Sequence, residues 1–244
     1  MDENLLTIIA TSLRVALVAS LIVMPVGGMI GWCFARTNFP FRRSIETLIM
    51  LPMVLPPVAT GLLLLYALSP NYAFGRLLVE LLGAPILLTW IAATIAAAVV
   101  ALPLAVRSAE QAFAAVPSRF DDLAITVGHS VWTRIWRIHL PLARRGLLAG
   151  FVLVFARALG EFGATSIVAG TIPGETETLA LGIYARVTTG DNSAAMSLAA
   201  VSIGIAAAAI LISGHLSRPG SRRGRSAGQS NDAATTQTWM ASRH

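Results

Sequence analysis

Lysine is missing from this chain altogether, and all 18 basic residues are arginine. That excludes a P-loop nucleotide site, because the lysine of G-x-x-x-x-G-K-[ST] is what reaches the β and γ phosphates. Cysteine is reduced to one residue, Cys33, so no internal disulfide can form, and the thiol reads as a small hydrophobe near the end of an apolar stretch. The four histidines, at 129, 139, 215 and 244, have no metal-ligand spacing, and no Ser/His/Asp set, H-E-x-x-H or G-x-S-x-G occurs. Catalysis therefore has no constellation to rest on, and no metal, cofactor or nucleic acid is expected on this chain. Charge of either sign is scarce as well. Only 12% of residues are charged against 55% hydrophobic, with a mean hydropathy of +0.71, which takes the chain out of the soluble globular class.

What the chain has instead is long apolar runs. A helix needs about 20 mostly apolar residues to cross the hydrocarbon, and five segments qualify: 5–35, 45–68, 84–106, 142–169 and 194–216. None alternates with period 2, so a lipid-facing barrel is excluded and the expected fold is all-α, a polytopic transmembrane helical bundle. Arginine orients it. Arg36, Arg42 and Arg43 follow the first span; Arg107, Arg119, Arg134, Arg137, Arg144 and Arg145 lie between the third and fourth; Arg218, Arg222, Arg223 and Arg225 follow the fifth. Positive charge collects on cytoplasmic loops, which puts the N-terminus outside, the C-terminus inside and the 107–141 loop in the cytoplasm. The acidic start, MDEN, argues against a cleaved signal peptide. Residues 1–216 form the expected transmembrane domain. The polar, Gly/Ser-rich stretch 217–244 reads as a disordered basic cytoplasmic tail, since it has no apolar periodicity with which to build a core.

The 107–141 loop contains two short helical patterns. Ser118 and Asp121 have the spacing of a capping box, and Phe120, Leu123, Ala124 and Val127 share one face until Gly128 offers a left-handed C-cap. Trp132, Ile135, Trp136 and His139 then form a stripe, with Arg134 and Arg137 away from it, that suits the lipid headgroups before Pro141 opens the next span. Such helices either pack on the bundle or present an apolar face to a partner. Gly128, nine residues, then Ile138-His139-Leu140-Pro141 resembles the loop signature of ABC importer permeases, E-A-A-x3-G-x9-I-x-L-P, with Asp122, Leu123 and Ala124 standing where E-A-A is usual. The resemblance implies a coupling helix docked on a separate ATPase subunit, which would carry the ATP and Mg. The residues it would place in coupling are Phe120, Asp122, Leu123, Ala124, Val127, Gly128, Ile138, Leu140 and Pro141.

Two further stretches, MLPMVLPPVATG (50–61) and FARALGEFGATSIVAGTIPGETETLALGIY (155–184), are similar to permeases of the molybdate branch, which is related to the sulfate and tungstate permeases. Physics gives both stretches a reason to line a path. Pro52, Pro56 and Pro57 remove amide donors, which is tolerated at depth only where protein or water satisfies the freed carbonyls. Arg157 and Glu161 sit one helical turn apart with Gly160 on the same stripe, and a lone charge at mid-membrane costs ~3 kcal/mol, so the pair should face the interior. With Thr165 of the same run, these are the pathway candidates. The resemblance implies the permease of an ATP-driven importer of molybdate or tungstate in a bacterial inner membrane. It also implies a homodimer, two ATP-binding subunits and an external oxyanion-binding protein, for which residues 171–192 are the expected docking surface. The alternatives are a sulfate or thiosulfate permease, or an ATP-independent secondary transporter in which Arg157 and Glu161 relay ions. No internal repeat favours the last.

Overall fold

A seam of alanine and glycine holds the bundle together. The computed structural model describes residues 2–217, and all regular structure among them is helical; beyond Ser217, the tail expected over 217–244 lies outside the described residues. Helices α1 (Asp2–Arg36) and α5 (Trp90–Ala114) form the most extensive pairing, with Ala16, Ala19, Ala93, Ala96 and Ala105 buried. A Cβ built on Gly27 would lie 2.7 Å from that of Ala105, and one on Gly31 would lie 2.7 Å from the Glu110 amide and the Val106 carbonyl. In lipid, helices gain nothing from hiding apolar surface from water, so close backbone approach supplies the attraction. Helix α8 (Leu140–Leu159) packs on both, with Gly146 against Ala112 and Gly150 against Ser108. Helix α11 (Asn192–Ser217) closes the bundle against α8 and α10 (Leu179–Thr188).

The first and fifth expected spans correspond to α1 and α11, and the other three need correction. The stretch 45–68 is broken rather than kinked: α2 (Arg42–Val54) and α3 (Pro57–Leu68) meet at 109°. Consecutive prolines force this, because a residue that precedes proline is driven out of the α region, and both Leu55 (ψ 143°) and Pro56 (ψ 132°) are extended. Pro52 stays inside α2. The stretch 142–169 is also interrupted, at Gly160–Phe162, before the short α9 (Gly163–Val168). The third span starts late and ends late. Residues 84–88 are not helical, Thr89 caps α5 by accepting from the Ala92 amide, and α5 continues past Arg107 because the charges there are paired.

That pairing is a small network. Arg107 contacts Glu46 and Glu110, and Arg42 contacts Glu110 at 3.1 Å, which ties the start of α2 to α5. A further helix, α4 (Ala73–Leu82), occupies what the sequence left as a connection. Helices α6 (Arg119–Thr126) and α7 (Val131–Arg134) form the loop before α8, and a π-helical turn, Ile135–His139, joins α7 to α8. Leu48, Met53, Val54, Val58 and Leu63 on α2 and α3 are exposed, as a lipid-facing or subunit-facing surface requires.

Gly31→Ala should lower stability by about 1–3 kcal/mol, because the added methyl meets backbone atoms that cannot step aside. Gly28→Ala, one turn away with nothing within 4 Å of its Cβ position, should be neutral or mildly stabilising. Thermal melting of the two variants in detergent checks the contrast.

Candidate functional site

Short helix α6 has too little length to be stable on its own, so its contacts define it. Its C-terminus is a complete Schellman turn: the Gly128 amide donates to the Ile125 carbonyl, the His129 amide donates to the Ala124 carbonyl, both at 2.9 Å, and Gly128 has φ +80°. The face expected to be continuous is divided. Ala124 is 4% exposed and Phe120 is half-buried against the cluster of Ala109, Phe113 and Ala143, whereas Leu123 and Val127 are 65% and 73% exposed, joined by Ile125 at 58%. Ala124 and Phe120 therefore hold α6 to the bundle, and Leu123, Ile125 and Val127 are what it presents outward. Asp122 and Pro141 are exposed, while Ile138 and Leu140 are half-buried.

Asp121 is not the partner in a capping box. The Ser118 side chain makes no cap bond, and the Asp121 carboxylate turns inward instead. It accepts from Arg36 Nη1 at 3.1 Å, Arg134 Nη1 at 3.3 Å and His139 Nε2 at 2.8 Å. Trp32 Nε1 donates to His139 Nδ1 at 2.8 Å, so Nδ1 is the acceptor nitrogen, Nε2 carries the proton and the ring is neutral. Arg36 Nη2 also donates to the carbonyls of Phe113 and Val116, at 2.6 and 2.5 Å, beyond the end of α1 and across the end of α5. The stripe of Trp132, Ile135, Trp136 and His139 is thereby divided too. Both tryptophans are exposed, but the π turn rotates His139 into the protein, where it is 1% exposed, and Arg134 is drawn in rather than pointing away.

The other candidate region is where the two broken spans meet. A Cβ on Gly163 would lie 2.6 Å from Pro57 Cβ, and one on Gly61 would lie 2.8 Å from Ala164 Cα, so α3 and α9 are in backbone contact. Pro57 thus serves as the first residue of α3 and as its contact with α9, Pro56 caps α3 from within the break, and only Pro52 lies on the α2 side, inside that helix. Glu161, 4% exposed, sits in the break itself. One carboxylate oxygen accepts from Arg157 Nη1 at 2.8 Å and the other from the Ala164 amide at 2.9 Å, so a single side chain both neutralises the arginine and satisfies the start of α9. Gly160 lies exposed in the same break. The hydroxyls of Thr60 on α3 and Thr165 on α9 are buried without a hydrogen-bond partner. Such groups are uncommon in a settled core.

Residues 24–218 match the family model described as "Binding-protein-dependent transport system inner membrane component". The chain belongs to this family. Similar family members include the molybdenum transport system permease protein ModB of Escherichia coli K12, 38% identical over 85% of this chain and 91% of that protein. The putative molybdenum transport system permease YvgM of Bacillus subtilis 168 is 40% identical over 78% and 83%. The Haemophilus influenzae ModB is 38% identical over 91% and 96%. Among solved structures, an inward-facing MetNI methionine ABC transporter chain aligns at a TM-score of 0.66 with 16% identity, covering 89% of this chain and 98% of that one. A chain of a bacterial alginate ABC transporter, in complex with an alginate-bound periplasmic protein, aligns at 0.68 with 18% identity over 89% and 80%. These confirm the ABC importer permease fold.

Within this family fold, sequence reasoning missed Trp32, Arg36, Asp121, Arg134 and His139 as one cluster. The available signal was the rarity of charge itself, since each buried ionic group in so apolar a chain needs a partner. The stretch 171–192 is less open than a docking loop: Thr176, Glu177, Thr178, Leu179 and Leu181 are buried, and Glu177 pairs with Arg186. Its exposed parts are Thr171, Pro173–Glu175, Tyr184 and Val187–Asn192.

Glu161→Ala should cost about 2 kcal/mol, because it strips both the arginine and the Ala164 amide of their acceptor. Glu161→Gln keeps an acceptor for the amide and should cost less. Removing Arg157 as well should recover part of the loss in the alanine variant, but not the helix start. Melting of the four proteins in one detergent tests the order.

Proposed function

We propose that this chain is the permease of an ATP-driven molybdate importer, with tungstate as the companion substrate. Two copies form the translocation pathway, two ATPase subunits bind the cytoplasmic loops, and an external oxyanion-binding protein delivers the anion. The chain is a multi-pass protein of a bacterial inner membrane with its N-terminus outside. The molybdenum permeases among its relatives support the substrate, at 38–40% identity over most of the chain.

The observation that carries the coupling role is the outward set Leu123, Ile125 and Val127 on α6. Leu123 on α6 and Val127 at its C-cap lie one turn apart on one exposed flank, with Ile125 on the other, and the helix is held from behind by Ala124, Phe120 and Asp121, an arrangement that suits a groove on another protein. Arg119, Arg137, Arg144 and Arg145 are exposed around the same loop, which fits the cytoplasmic side. At the other region, the α3–α9 contact is a gate. Opening it would free the Thr60 and Thr165 hydroxyls to donate to a passing oxyanion, a weak interaction that permits release. The permease then needs no tight site of its own.

Uptake of labelled molybdate by the reconstituted complex should be inhibited by tungstate far more than by sulfate. Preferential inhibition by sulfate would make the chain a sulfate permease.

Leu123→Asp should leave the permease folded and weaken co-purification of the ATPase subunit, since it places a charge on the outward face alone. Ala124→Asp should destabilise the permease itself, because that position is buried. Gly128→Val should misdirect α6 at a cost of about 1–3 kcal/mol, from its positive φ rather than from crowding. A cysteine at position 123 that crosslinks only to the permease's own helices would remove the coupling role.

A further inference from the structure

We propose that Asp121 is the positioning residue that carries motion of α6 into the bundle, with Arg36, Arg134, His139 and Trp32 as the parts of one joint. The proposal rests on reading α6 as the contact with the ATPase subunit.

Little apolar area fixes the angle of α6. Ala124 is the only residue of the helix that is fully buried, Phe120 is half-buried, and the remaining aliphatics face outward. The ion cluster supplies what packing does not. Through one carboxylate α6 is bonded to Arg36 at the end of α1, to Arg134 in α7 and to His139 at the entry to α8. Arg36 extends the connection to α5 by gripping the Phe113 and Val116 carbonyls, and Trp32 braces the far side of the His139 ring from α1. Those are the three helices that pack on one another along the centre of the bundle. A displacement of α6 is therefore delivered to all three together.

Charge explains why the carboxylate is needed rather than merely accommodated. Two guanidinium groups and a neutral imidazole converge on a single anion, so the cluster carries a net positive charge. The Nε atoms of Arg36 and Arg134 are each buried without an acceptor. The network of Arg42, Glu46, Arg107 and Glu110 on the same arginine-rich side is balanced two against two and serves to fasten α2. Asp121 has no such reserve. Without its charge, two partly buried cations repel each other and the joint separates, while the outward face of α6 keeps its chemistry.

The test uses the complete complex of permease, ATPase subunits and binding protein in proteoliposomes, reading labelled molybdate transported per ATP hydrolysed. In Asp121→Asn the crosslink from a cysteine at 123 to the ATPase should still form, while the transport-to-hydrolysis ratio falls on the order of tenfold. Asp121→Asn combined with Arg134→Gln returns the cluster to the parent's net charge of one positive, which relieves the repulsion between the arginines, and should recover most of the ratio. Trp32→Phe removes the indole N–H that donates to His139 while keeping an aromatic ring against the Ala109 and Phe113 cluster, and it should lower the ratio about threefold, which decides the matter if the asparagine variant does not assemble. A parent-like ratio in Asp121→Asn, or in Trp32→Phe where it stands in, would overturn the proposal. So would uptake and hydrolysis that fall together in step with the amount of assembled complex. Absence of the crosslink in the parent would instead remove the coupling reading beneath it.

Discussion

The backbone approach of α1 to α5 sets the geometry on which the other elements depend. At Gly31 the two helices are so close that the Glu110 amide and the Val106 carbonyl occupy the space of a side chain. One turn further along α1 comes Arg36, near enough to the end of α5 to grip the Phe113 and Val116 carbonyls. The same approach leaves α8 a shallow surface in which Gly146 and Gly150 fit against Ala112 and Ser108. Large residues at these positions would hold the helices apart and leave the Asp121 cluster without its arginine.

A membrane interior penalises every break in a helix, because no water is there to take the freed amides and carbonyls. This protein has two breaks and lets them solve each other's problem. Helix α3 begins at Pro57, whose missing N–H is no loss at a first turn, and that proline packs on Gly163 where α9 begins. Glu161 supplies the acceptor that α9 lacks and takes the charge of Arg157 in the same act. The broken spans are thus stable only as a pair.

The two ion clusters show how the same residue types serve different ends. Arg42, Glu46, Arg107 and Glu110 balance, so α2 is fastened to α5 by a charge-neutral network. Around Asp121 the cations outnumber the anion, and geometry rather than neutrality holds the group together.

Much was legible without coordinates. Apolar run length fixed the class and the first and last spans, since crossing hydrocarbon demands little more than length and composition. Gly128 was identifiable as a left-handed cap, and the pairing of Arg157 with Glu161 followed from their spacing and the cost of a lone charge in lipid. The motifs of residues 50–61, 128–141 and 155–184 carried the family. Periodicity went wrong where a helix was not uniform: it placed Ala124 with Leu123 and Val127, and His139 with Trp132 and Trp136, because it cannot foresee a π turn or which side of a short helix meets a neighbour. Hydropathy likewise joined α2 to α3 and α8 to α9, being blind to a bend of 109°. The partners of Asp121 lie 85 residues before it and 13 and 18 after it, separations that no local rule connects. The sequence alone determined that the chain crosses a membrane, where its special residues fall and what kind of protein it resembles, because those depend on composition and short-range spacing. Tertiary structure alone decided which faces turn inward and which charges meet, because both depend on helices distant in the chain approaching to within a side chain's reach.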